Sequence, residues 1–400
     1  MNLDKNKSFC ILPFIHLSVV GSKIKPCCRF SPESKLVKKF YNTKKKFTAN
    51  KILCSEEYDD LRKKMLAGKK IKACYKCYSE EQFGGSSIRQ GSYSDFSYLL
   101  SSDMTPKLRF LELGFSNLCN LKCRSCSSVL STAWNEDEMV IKGKYRRSVM
   151  DRKEKDINVI KFSDNDLKDL AHVKFVGGEP MLNPEFSQFL KQLSKTRVNK
   201  KCIVELFTNV SYFPDRKIIN NLVSFKGIRI HLSVDGFDKH NDYLRHPSKW
   251  QKVDSVASKW LELRKTNSAI SIQLEITVSL YNVLHLEQLL DWWIKKNKQI
   301  NNDELRIHMI FVFYPKYLSI LNIPKKLKIE IVNSLEKLVG KYADYKHIVF
   351  WIKNIRLTMK GKGDNRLREF LEFSYDIDEI RDESFCKTFP ELNTLLKEYL

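Results

Sequence analysis

Three cysteines stand in one short run, Cys119-Asn-Leu-Lys-Cys123-Arg-Ser-Cys126. Thiolates at this spacing can ligate three irons of a cubane and leave the fourth iron open to another ligand. Zinc is the ordinary competitor for a cysteine loop, but a structural zinc takes four protein ligands, and no fourth Cys or His stands near these three in the sequence. Cys119, Cys123 and Cys126 are therefore expected to hold an iron–sulfur cluster with one reactive position.

A second set lies upstream. Phe9-Cys10, Pro26-Cys27-Cys28 and Ala73-Cys74-Tyr-Lys-Cys77 supply four thiolates, Cys10, Cys27, Cys74 and Cys77, enough to close a [4Fe–4S] site. A structural zinc ribbon with the same ligands fits the spacing equally well. The remaining cysteines, Cys54, Cys202 and Cys386, have no partner in sequence, and Cys202 reads as a small buried residue opening a strand. Eleven cysteines in a chain with no secretory signal point to metal or redox chemistry, not to disulfides.

The elements that must position these residues alternate. Residues 108–115, 172–176, 202–207, 228–234, 270–279 and 305–313 read as six strands, and helical patterns lie between them, at 184–194, 250–264 and 286–295. Repeated βα units imply a parallel sheet with helices packed outside it. Six units predict an α/β fold of the partial (β/α)6 barrel type, in which functional residues gather in the loops after the strands. Residues 101–323 form this region. Residues 1–100, with few long apolar runs and most of the paired cysteines, are expected as a small metal-binding domain. Residues 324–400 read as a helix-rich C-terminal tail.

Length and composition agree with a folded globular protein. The chain has 400 residues, 42% of them hydrophobic and 12% aromatic. No apolar run approaches the roughly 20 residues that span a bilayer, and the polar start lacks an apolar h-region. A cytoplasmic protein is expected. The net charge of +23 raises the question of nucleic acid, but the excess is mostly lysine scattered along the chain and reads as solvated surface. The patches Lys44-Lys45-Lys46 and Lys325-Lys326-Lys328 suit steering of an acidic partner.

C-x3-C-x2-C after the first strand of a βα array resembles the signature of the radical S-adenosylmethionine (radical SAM) superfamily. Gly177-Gly178-Glu179-Pro180 after the second strand is similar to that family's GGEP turn, and Thr208-Asn209 to the pair that closes its third strand. Ser233-x-Asp235-Gly236 resembles the region that meets the ribose and carboxylate, and Arg245 fits an arginine that pairs with the methionine carboxylate. Ser125 departs from the aromatic residue common before the third cysteine. The resemblance covers roughly residues 107 to 313. It implies a catalytic [4Fe–4S] cluster on Cys119, Cys123 and Cys126, with S-adenosyl-L-methionine bound by Gly177, Gly178, Glu179, Pro180, Asn209, Ser233, Asp235 and Arg245. Reductive cleavage of the cofactor would give a 5′-deoxyadenosyl radical that abstracts hydrogen from a substrate, with flavodoxin or ferredoxin as electron donor.

The upstream set looks like a SPASM or twitch module carrying an auxiliary [4Fe–4S] cluster, here placed before the catalytic domain. The interval from Gly21 to Cys27 is one residue longer than usual, which leaves Cys27 and Cys28 both eligible as ligand. Such modules imply a peptide or protein side chain as substrate. RNA and a small sugar-like metabolite are alternatives within the same chemistry. A non-catalytic zinc-stabilised binding protein is the alternative of another class.

Overall fold

The computed structural model describes residues 6–21, 23–40, 48–82, 86–141, 144–145, 162–302 and 305–399. The basic run at 44–46 lies outside them. Two compact units divide the chain. The first comprises Met1–Ser116, Lys153–Leu206 and Arg216–Ile228, and the second Asn117–Arg152, Phe207–Asp215 and Arg229–Leu400.

Five strands run through the first unit: β1 (His16–Val20), β2 (Lys23–Lys25), β3 (Phe110–Gly114), β4 (His172–Phe175) and β5 (Ile203–Thr208), whose last two residues belong to the second unit. Their order is β2-β1-β3-β4-β5. β1 and β2 are antiparallel, and β1, β3, β4 and β5 are parallel. The strands expected from about 108, 172 and 202 are present. β1 and β2 were not foreseen, and they place part of the first hundred residues in the same sheet as β3.

Side chains alternate across a pleated strand, and this sheet uses the two faces differently. Leu111, Leu113, Val173, Phe175, Val204 and Leu206 are buried on one. The other carries a polar row in matched register, Ser18, Glu112, Lys174 and Glu205. Ser18 donates to Glu112 at 2.7 Å, and Lys174 lies 3.9 Å from Glu112 and 3.8 Å from Glu205. Helix Pro184–Lys195 covers the apolar face, with Asn183 as its cap and proline at its first position. It buries Phe186, Phe189, Leu190 and Leu193, one helical stripe, and Phe186 meets Phe175 edge-on at 4.8 Å. Burying four such side chains contributes roughly 6–12 kcal/mol before conformational entropy is counted.

The second unit holds β6 (Gly227–Ser233), apart from its first two residues, and β7 (Ile270–Val278) and β8 (Ile307–Phe311), in that order. β7 alternates: Ile270, Ile272, Leu274, Ile276 and Val278 are buried, and Gln273, Glu275 and Thr277 take the opposite face. Both oxygens of Glu275 are engaged there, one by His231 of β6 and one by His308 of β8, each at 2.7 Å. Helices Trp250–Thr266 and Leu286–Gln299 follow β6 and β7. Beyond residue 324 the chain is helical at Lys325–Lys341, Lys346–Met359, Leu367–Arg381, Phe385–Thr388 and Pro390–Lys397. No helix among the described residues is long and apolar enough to cross a membrane.

Candidate active site

Within the second unit, the three-cysteine loop is held by backbone pairing on both sides of Cys123. The Lys122 amide donates to the His246 carbonyl at 2.7 Å, and the Arg124 amide to the Leu244 carbonyl at 2.8 Å. The Cys123 carbonyl accepts from the Trp134 indole at 2.9 Å and from the Cys126 amide at 2.8 Å. The sulfur of Cys119 accepts from the Leu121 amide and from the Asn209 side chain, each at 3.5 Å. Donors aimed at sulfur suit a sulfur that ligates iron. Burial pushes the Cys123 thiol up to about 11, with Arg245 pulling the other way.

Asn209 is fixed from its other end. Its carboxamide oxygen accepts from the Ser211 amide at 3.0 Å and the Ser211 hydroxyl at 2.6 Å, and its nitrogen donates to Asn120 at 2.9 Å. The turn continues through Val210, a buried β-branched residue at φ 63°. That left-handed conformation is costly for valine and persists only where its surroundings enforce it.

Arg245 and Asp235 meet directly. Arg245 donates to one Asp235 oxygen at 2.7 Å, and the other oxygen accepts the Thr277 amide at 2.7 Å. Asp235 is thus committed on both oxygens and orients Arg245. Burial alone would lower the guanidinium pKa, but Cys123, Asp235 and Cys119 beside it hold it above its ordinary value. The Nε of Arg245 is buried and has no hydrogen-bond partner among the described residues. A buried donor left over beside two cysteines is what an anionic ligand at this place would satisfy. Ser233 closes β6 on the same stretch, half-buried.

The glycine turn belongs to the first unit. Gly177 adopts φ +116°, and a Cβ there would lie 2.8 Å from the Ser116 carbonyl oxygen and 3.4 Å from the Gly114 Cα. Only glycine fits. The Gly178 amide donates to the same Ser116 carbonyl at 3.3 Å. Glu179 is buried, with one oxygen accepting the Met181 amide at 3.4 Å, and Pro180 opens a 3₁₀ turn to Leu182.

The upstream cysteines also gather in the first unit. Burial pushes the thiol of Cys10 up to about 12, with Cys74 and Cys77 as electrostatic neighbours. Cys74 is raised to about 12 by burial and next by Cys27 and Cys77. Cys27 is raised well above its ordinary range by burial, then by Cys28, Cys10 and Cys77. Every pair among Cys10, Cys27, Cys74 and Cys77 is therefore close enough to interact. Cys28, raised by burial, has Glu112, Lys174, Lys25 and Arg29 as its strongest neighbours. No two cysteines among the described residues form a disulfide. Among the described residues no three or more His, Cys, Asp or Glu converge on a position for a single metal ion. A cubane does not require that convergence, because each thiolate binds a different corner iron.

Residues 113–284 match the Radical SAM superfamily. The matched segment is less than half of the 400-residue chain. No curated protein matches the sequence. Similar solved structures include Streptococcus suis SuiB bound to S-adenosylmethionine, at 13% identity over 76% of this chain and 53% of that one, with a TM-score of 0.36. Native anSMEcpe with bound AdoMet and the Cp18Cys peptide is 20% identical over 60% of this chain and 62% of that one, with a TM-score of 0.36. The chain spans between about half and three-fifths of the length of these two proteins.

The matched segment does not hold its cysteine loop alone. Arg124, inside the motif, is fully buried. It bonds Asp378 at 2.6 Å and Glu383 at 2.8 Å, and its guanidinium lies 3.6 Å from the Tyr243 ring centroid. Arg381 covers the Trp134 ring at 4.6 Å and bonds Asp137 at 2.7 Å, and Asp137 also bonds Lys122 at 2.7 Å. Sequence reading missed these supports, since an arginine between motif cysteines reads as an ordinary loop residue. Asn209, Asp235, Arg245 and the three cysteines come together in one unit. Gly177 to Pro180 are built into the other.

Proposed function

We propose that this chain is a radical SAM enzyme that removes a hydrogen atom from a peptide or protein side chain. The observation that carries the reading is Arg245, buried beside Cys123 and Cys119, clamped by Asp235 and left with an unmatched N–H. When bound, a [4Fe–4S] cluster and S-adenosyl-L-methionine supply the one-electron chemistry that ends in hydrogen abstraction. Cys119, Cys123 and Cys126 would hold the cluster, and Asn209 would donate to the Cys119 sulfur. Arg245 would take the cofactor carboxylate as a charge-assisted pair. The backbone of Gly177 and Gly178, with Glu179 fixed by the Pro180 turn, would take its amino group, and Ser233 would meet the ribose.

The wider reading has residues 101–323 as a partial (β/α)6 barrel and 324–400 as a helical extension. Residues 1–100 are the auxiliary-cluster module, with Cys10, Cys27, Cys74 and Cys77 as ligands. The mutual proximity of those four thiols supports this set and favours Cys27 over Cys28. An auxiliary cluster that accepts an electron from a substrate radical suits oxidation or cross-linking of a peptide. The +23 charge suits an acidic electron donor such as flavodoxin or ferredoxin, and free thiols suit the cytoplasm.

Anaerobic reconstitution with iron and sulfide tests the reading. The reduced enzyme is expected to form 5′-deoxyadenosine from S-adenosylmethionine, and Cys119→Ala is expected to abolish it. No 5′-deoxyadenosine from the iron-loaded wild type would sink the proposal.

A further inference from the structure

Glu383 stands between two segments that matter to the site. One carboxylate oxygen accepts from Arg124 at 2.8 Å and the other from His246 at 2.7 Å. Arg124 directly follows Cys123, and His246 directly follows Arg245. Residues 122–124 and 244–246 already pair by two backbone hydrogen bonds, Lys122 to His246 and Arg124 to Leu244. The carboxylate therefore closes a bracket around Cys123 and Arg245 from outside the matched segment. Glu383 is half-buried, and burial would raise its pKa, but His246 and Arg124 hold it below the ordinary carboxylate range. It stays charged, with both oxygens used.

We infer that Glu383 is a positioning residue that fixes Arg245 relative to Cys123, setting the cofactor-binding cation against the cluster loop. The inference rests on the function proposed above. A plain structural role, capping the end of helix Leu367–Arg381, would contribute to stability without touching cofactor affinity. Arg124 keeps Asp378 at 2.6 Å when Glu383 is neutralised, so the fold has a reason to survive the change.

The reduced, reconstituted full-length enzyme gives the decisive readout: the S-adenosylmethionine concentration that produces half of the cofactor-induced change in the cluster's electron paramagnetic resonance spectrum. Glu383→Gln is expected to retain wild-type iron content and raise that concentration about tenfold, the scale of one charge-assisted hydrogen bond. His246→Asn, which breaks the link from its other end and leaves Arg124 paired, is expected to shift it in the same direction. Glu379→Gln, an exposed change on the same helix, is expected to match the wild type. A folded Glu383→Gln enzyme with wild-type half-saturation overturns the inference. If Glu383→Gln does not fold, His246→Asn decides by the same reading, and wild-type behaviour there overturns it as well. A wild type whose cluster forms but ignores S-adenosylmethionine is a different failure: it removes the proposed function, and this inference with it.

Discussion

Gly177→Ala puts the turn geometry to a quantitative test. At φ +116° an L-residue is strained by about 1–3 kcal/mol. The added methyl would also sit 2.8 Å from the Ser116 carbonyl oxygen, a backbone atom that cannot swing aside, and overpacking of this kind costs about 1–3 kcal/mol more. For a chain of 400 residues, a loss of about 3 kcal/mol corresponds to a fall in melting temperature of roughly 4 °C. The displacement also reaches the turn, because the same carbonyl accepts the Gly178 amide. Gly91→Ala is the matched contrast. It lies inside helix Ile88–Phe96, nothing is within 4 Å of its would-be Cβ, and alanine there is expected to stabilise by up to about 1 kcal/mol. Circular dichroism melts of the cluster-free protein measure both, and isothermal titration of the loaded protein with S-adenosylmethionine follows the turn. A Gly177→Ala protein melting within about 1 °C of wild type would refute the argument from backbone geometry.

Arg124→Met should cost about 3–5 kcal/mol, since it leaves Asp378 and Glu383 partly buried without their shared cation. Adding Asp378→Asn should recover part of the loss, and no coupling in that double-mutant cycle would contradict the assigned contact. Acid stability should depend on His285, which burial lowers to about 4, helped by the His240 ring 4.7 Å away. A base with a depressed folded pKa contributes fully above its unfolded value. Stability should therefore fall by up to about 3 kcal/mol as pH drops from about 6.5 to about 4. His16 titrates over the same window, also lowered to about 4 by burial. The test is then whether His285→Gln flattens the slope of urea stability against pH. Asn209→Ala removes one donor to the Cys119 sulfur and should move the cluster's reduction potential more negative. An unchanged potential in redox titration would deny Asn209 that role.

What the sequence makes legible follows from range. β7 can be read directly because alternate residues, Ile270 to Val278, form one buried face, and helix Pro184–Lys195 because its apolar spacing, cap and first proline are all local. β1 and β2 are five and three residues long, interrupted by a turn at Gly21, too short for periodicity to separate from loop. Asp235 and Arg245 both read as cofactor contacts, and no spacing rule predicts that they also meet each other at 2.7 Å. The choice between Cys27 and Cys28 is a one-residue matter that only the neighbouring thiols can inform. Arg124, Asp378 and Glu383 were out of reach for a different reason: the partners stand 254 and 259 residues apart.

That separation also sets a schedule for making the protein. A ribosome adding about 5–20 residues per second needs tens of seconds to travel from Arg124 to Glu383. Through that interval the cysteine motif has left the ribosome with its arginine still lacking Asp378 and Glu383, and its flanking Trp134 uncovered by Arg381. The loop settles only when one of the longest loop closures in the chain is made, a step whose entropy must be met before its contacts are gained. Maturation should therefore run in a fixed sequence, with the helical extension docking first and iron arriving at a loop already held.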